Sequence, residues 1–205
     1  MRRRRERREG GQSLVEFAMI VTVAMLMLLG MVEFGFIFDH HLSLEYATRE
    51  GARVGAALAN GGGQFGCGTG QSPNAATVDQ QVIAAVQRVV ASPGSPIVES
   101  RISQIRIFKS DSSGDPSGSS YNTWIYQAAG GPVVDGRALD FKQSGSSGYA
   151  ACSRDNGATP DSIGVSIAYT YQMVTPIAAV MGFFGGAGAT SIPIADKTVM
   201  ALNPS

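Results

Sequence analysis

After a short opening rich in charge, the chain turns abruptly apolar: Phe17 to Val32 carries no charged side chain. As a helix these sixteen residues cover roughly 24 Å. Extending the segment from Leu14 to Phe38 gives a length that spans a bilayer, at the cost of including Glu16 and Glu33. The helical pattern runs on to about Asn60, where Gly61-Gly62-Gly63 stops it. Along this extension Glu45 and Arg49 stand at i, i+4 and Glu50 and Arg53 at i, i+3, which suits ion pairs on a wet face. Ala47, Gly51, Ala52, Gly55, Ala56 and Ala57 leave a smooth side that another element can approach closely.

Further on, the period changes. Thr77 to Ala91 predicts a second helix: Val78, Val82, Val86, Val89 and Val90 recur at helical spacing, Thr77 with Gln80 forms a capping box, and Ser92-Pro93-Gly94 ends it. Ile163, Val165, Ile167, Tyr169 and Tyr171 alternate with small or polar residues and predict the clearest strand. Gln104 to Lys109, Asn122 to Gln127 and Ile192 to Leu202 predict further strands, the last at an edge because of Pro193. Thr175 is expected to cap a short helix beginning at Pro176. Asp111 to Ser120 and Gln143 to Gly148, rich in serine and glycine, read as mobile loops. The expected fold is α+β. A long N-terminal hydrophobic transmembrane helix continues into a small extracytoplasmic head with a three- or four-stranded, mainly antiparallel sheet. The expected divisions are a basic leader (1–11), the transmembrane helix with its extension (12–60), and the head (61–205).

Charge orients this plan. The formal net charge is zero, yet Arg2, Arg3, Arg4, Arg5, Arg7 and Arg8 all precede the apolar run. From Gln12 onward ten basic side chains face fourteen acidic ones. The basic end is therefore expected in the cytoplasm and the bulk outside. A cleaved secretory signal would need a small-x-small site after the apolar stretch, and Gly35-Phe36-Ile37-Phe38 supplies none. The acidic balance of the bulk argues against nucleic acid, whose binders neutralise phosphates with a basic patch.

Candidate chemistry adds little beyond this. Asp39, His40, His41 and Glu45 are too few on one helix face for a structural zinc site. Neither histidine lies in the head to activate a serine there. Gly182 to Gly188 lacks the lysine of a phosphate loop. No enzyme activity, metal, cofactor or small-molecule substrate is expected. Cys67 and Cys152 fall on the outer side, where a disulfide would add roughly 4 to 5 kcal/mol in the simple chain-entropy picture; two free thiols are the alternative.

Gly10-Gly11-Gln12-Ser13-Leu14-Val15-Glu16-Phe17 places a glycine between charge and grease, with a carboxylate five residues on. In a bilayer that charge costs at least roughly 2.5 kcal/mol and needs a partner. A cut after Gly11 would provide one, because the new α-amino group of Gln12 would stand at i, i+4 from Glu16, within one subunit or between neighbours. The cut would also remove six arginines that hold the end at the cytoplasmic face. A cut after Gly10 competes, and it would make Glu16 the sixth residue instead of the fifth.

These features resemble the class III signal of type IV pilins and pseudopilins. More narrowly, Ser13 to Ala18, Val32-Glu33-Phe34-Gly35, Ala47 to Arg53, and Val165 to Tyr171 followed by Thr175-Pro176-Ile177 are similar to the TadE-like family of the tight-adherence (Flp) pilus system. The shared motif residues include Phe17, Glu33, Arg49, Glu50, Gly51, Ala52 and Arg53. The resemblance implies a minor pseudopilin of the cytoplasmic membrane, cut by a prepilin peptidase and used to assemble or prime a type IVb (Flp/Tad) pilus. Its partners would be that peptidase, other pilin-like subunits, the pilus assembly platform and the lipid bilayer. The alternative is an uncut, membrane-anchored binding module or adhesin, presenting Tyr121, Trp124 and Tyr126 from the unmatched middle of the chain.

Overall fold

The computed structural model describes residues 6–58, 75–155, 157, 159–185 and 190–202. In chain order its elements are α1 (Glu6–Leu58), α2 (Val78–Val90), β1 (Ile102–Ser110), β2 (Pro116–Tyr126), β3 (Val133–Val134), β4 (Arg137–Ala138), β5 (Phe141–Ser144), β6 (Ser162–Gln172), α3 (Ile177–Gly185) and β7 (Ser191–Ala201). Two compact units result: Met1–Phe38 with Gln172–Ile192, and Asp39–Tyr171 with Pro193–Ser205.

In the first unit, the apolar part of α1 is exposed all round: Leu14, Phe17, Ile20, Met27 and Met31 are each 65–73% accessible. None of its most apolar stretch is buried. A helix apolar on every side needs lipid or other apolar helices to cover it. The unit also contains α3, in the connection between β6 and β7.

The second unit is an α+β body around one antiparallel sheet of strand order β5-β2-β1-β6-β7. Ile105 lies opposite Trp124 on β2 and Ile167 on β6, and Ile107 opposite Val165. Ile105, Ile107, Ile163, Val165 and Ile167 are completely buried. Helix α2 and the later part of α1 cover this face: a β-carbon on Gly51 would lie 2.7 Å from Val86 Cγ2, and one on Gly55 2.8 Å from Ile163 Cδ1. The opposite face is filled at Phe108, whose ring lies over its cross-strand partner Gly164. Glycine there admits a ring that any side chain would displace.

A buried polar network ties the segment before β6 to α2 and β2. Arg154, 1% exposed, pairs with Asp79 at 2.6 Å, and its guanidinium stacks 4.4 Å from the Tyr149 ring centre. Asn122 donates to the other Asp79 oxygen at 2.6 Å and to the Tyr149 carbonyl at 2.8 Å, while the Tyr149 amide donates back to Asn122 Oδ1. Low dielectric strengthens such bonds when all partners are present.

Local details depart from the expectations. Thr77 makes no side-chain cap, because the 3-10 turn Ala75–Thr77 holds its backbone in helical conformation instead of the extended one a cap needs. Asp111 to Ser120 is not a loop throughout. The Asp111 carboxylate accepts the amides of Ser113 and Asp115, which lowers its pKa, and β2 starts at Pro116. Serine and glycine hid this strand, since cross-strand pairing, not propensity, sets it. Gln143 and Ser144 likewise pair with Trp124 and Thr123 as part of β5, which makes the sheet five-stranded. Asn60 and Gly61-Gly62-Gly63 lie outside the described residues, and α1 is described as far as Leu58.

Candidate functional site

At the boundary of charge and grease, Gly11 and Gln12 lie within α1 and are exposed. A β-carbon on Gly11 would meet nothing within 4 Å. Helical spacing brings the Gln12 side chain onto Glu16, with Nε2 donating to Oε1 at 3.0 Å. Both side chains are exposed, as is Phe17.

Glu33 has a different setting. It is 4% exposed, and its two oxygens accept the backbone amides of Val174 at 3.1 Å and Thr175 at 2.9 Å. The carboxylate therefore does not reach for water in the manner expected of an acid near the end of a span. It satisfies two amides just ahead of α3, where negative charge also suits the helix dipole. Capping of α3 by the Thr175 hydroxyl is not seen: that oxygen is buried without a hydrogen-bond partner among the described residues, and Ala178 donates to the Thr175 carbonyl. Sequence alone linked neither Glu33 nor Thr175 to the other, which stands 142 positions away.

The stretch Arg49 to Arg53 divides between two faces. Gly51 and Ala52 are buried, Gly51 against Val82, Val86 and Val165. Arg49 pairs with Glu45 and Arg53 with Glu50 on the wet side. The Arg53 hydrogen bond holds the Glu50 carboxyl below its usual pKa, and Glu50 raises that of Arg53. These exposed pairs are worth little singly. Nearby, the buried Thr48 hydroxyl contacts the Asp196 carboxylate and Thr198, a link that sequence reasoning missed because the partners lie about 150 positions apart.

His40 is buried between Tyr169, 5.7 Å away between ring centres, and Tyr171 at 4.8 Å. Among the described residues no group of three or more His, Cys, Asp or Glu side chains is placed to hold a metal. Trp124 is 3% exposed and belongs to the core, so it offers no binding surface. Cys152 sits in the 3-10 turn Ala151–Ser153, and Cys67 lies outside the described residues.

Taken together, the described residues hold one helix long and apolar enough to cross a membrane, which suggests a membrane anchor, and an α+β body built partly on its continuation. Residues 11–53 match the family model described as TadE-like protein, consistent with a TadE-like protein of the Tad pilus system. The match takes in Gly11, Gln12, Glu16, Phe17, Glu33 and the Arg49 to Arg53 stretch, and it ends before α2. No curated protein and no solved structure matches the chain.

Proposed function

We propose that the chain is a pilin-like structural subunit, cut between Gly11 and Gln12 by a prepilin peptidase and then used in assembling or priming a Tad-type pilus. The observation that carries this reading is the exposed boundary at which Gln12 and Glu16 share one helix face, 3.0 Å apart through the glutamine side chain. Cutting creates a cationic amine on the residue that already reaches the carboxylate. A paired charge tolerates an apolar surrounding far better than a lone one. Loss of the arginine leader releases the helix from the cytoplasmic face, and the exposed apolar surface of α1 then packs on neighbouring subunits or the assembly platform. Orientation follows from the same arginines, with the N-terminus cytoplasmic and the head outside. The 49–53 motif has a structural part in this reading: it seats α2 and β6 on the helix that anchors them.

The mass of the N-terminal peptide from membranes of the native host tests it. A species beginning at Gln12 supports the reading, whereas an intact arginine-rich start sinks it and favours an uncut anchored module. Glu16→Ala is expected to leave cutting largely intact and to abolish recovery of the subunit with other pilin-like proteins. Undiminished recovery would refute the pairing of amine and carboxylate.

A further inference from the structure

We infer that α3 is a second membrane element, dipping into the extracytoplasmic leaflet of the bilayer that holds α1; this rests on the reading of α1 as a single span with the head outside.

Depth is the first argument. Ile177 Cδ1, at the start of α3, lies 3.9 Å from where a Gly30 β-carbon would stand, and the amides of residues 174 and 175 bind Glu33. The polar end of the span begins at Asp39, which is six residues beyond Glu33 and nine beyond Gly30. At 1.5 Å per residue, α3 therefore starts roughly 9 to 13 Å on the apolar side of that end.

Composition is the second. From Ser162 to Ala195 the sequence has no charged residue. In α3 and just before it, Val174 is 69% exposed, Val180 36%, Met181 43% and Phe183 84%. A helix lying flat on a membrane surface carries a charged face, and α3 has none. Helix α3 belongs to the same unit as the exposed apolar part of α1 and meets it at Gly30 through Ile177, so an apolar surrounding that covers one lies beside the other.

The third argument concerns hydrogen bonding. Irregular backbone at membrane depth must be satisfied inside the protein, and an acid there must be neutralised or bonded. The contact of Glu33 with residues 174 and 175 meets both demands. In water neither would be needed, because amides and carboxylate would be solvated.

The full chain in nanodiscs of phosphatidylcholine carrying an acyl-chain diazirine provides the test, with photolabelled sites mapped by peptide mass analysis. Peptides spanning 174–183 and 17–32 should both carry several-fold more label than the head peptide 133–142. Phe183→Glu should abolish label on 174–183 while leaving label on 17–32. Label confined to 17–32 overturns the inference and leaves the anchor standing. Label on neither overturns both the inference and the single-span reading. Absence of lipid label on α3 together with cross-links from α3 to a second copy also overturns it, in favour of a contact between subunits. Because the first measurement uses the unaltered chain, misfolding of a variant does not compromise it.

Discussion

Gly164→Ala isolates one contact in the head. A β-carbon at Gly164 would lie 2.2, 2.3 and 2.8 Å from three ring carbons of Phe108, well inside contact distance. The backbone cannot retreat, because β6 is hydrogen-bonded between β1 and β7. The ring of Phe108, now completely buried, must leave. Losing its burial and opening the space it filled resembles truncating a core phenylalanine, about 3–5 kcal/mol. Replacing a strand glycine by alanine returns about 0.5–1 kcal/mol of chain entropy. The expected net destabilisation is about 2–4 kcal/mol. Urea unfolding of the full chain in detergent, followed by the fluorescence of buried Trp124, measures it. The same substitution in a Phe108→Ala background removes the clash and should be neutral or slightly stabilising. An equal loss in both backgrounds, or no loss in the parent, would refute the reasoning.

Asp79→Ala strands the buried Arg154 guanidinium and should cost about 3–5 kcal/mol, whereas replacing both partners by apolar residues of similar size should cost much less; the two unfolding midpoints check this. Glu99 has its carboxyl pushed above the usual 4.5 by burial, with Asp140 adding to the effect and Arg137 opposing it. Its stabilising contribution is present below the unfolded value and is lost as pH rises through the folded one, so Glu99→Gln should raise the melting temperature more at pH 7 than at pH 4. Equal gains at both pH values would contradict that. For the cysteines, a bridge between Cys67 and Cys152 predicts a mobility shift on reduction; unchanged mobility with two alkylatable thiols excludes it.

Legibility in the sequence follows the range of the interactions. Helix α2 and strand β6 repeat apolar residues at their own period, and α1 opens on a long unbroken apolar run, so their type could be read locally. The ion pairs of Arg49 with Glu45 and Arg53 with Glu50 were legible for the same reason, being one helical turn apart. The start of β2 was not: Pro116 to Ser120 has the composition of a loop, and its place in the strand is set by Ser110 opposite Pro116 and Phe108 opposite Tyr121, with a register shift between them. The two-residue turn Asp135-Gly136 between β3 and β4 carries positive φ at both positions, a known hairpin signal, but its strands of two residues each are too short to show an alternating pattern. At the candidate site, Gln12 and Glu16 were legible through their four-residue spacing. The Glu33 link to α3 was not, since no local rule selects one pair of amides among many distant ones.

The apolar stretch of α1 from Leu14 to Phe38 holds two carboxylates, Glu16 and Glu33, with opposite fates, and the difference bears on what each can do. Glu33 spends both oxygens on backbone amides of its own chain and is nearly inaccessible, so a partner could engage it only by dismantling the entry to α3. Glu16 is held by a glutamine side chain that water or an amine can replace at small cost, since an exposed hydrogen bond contributes only about 0.5–1.5 kcal/mol. A cation at the same position competes with more than geometry, because a charged donor strengthens the bond and neutralises the acid as the surroundings become apolar. Of the two, only Glu16 is open to a new partner without a change in the backbone around it. Glu33 serves a fixed structure, and substituting it should disturb α3 before it disturbs any partner.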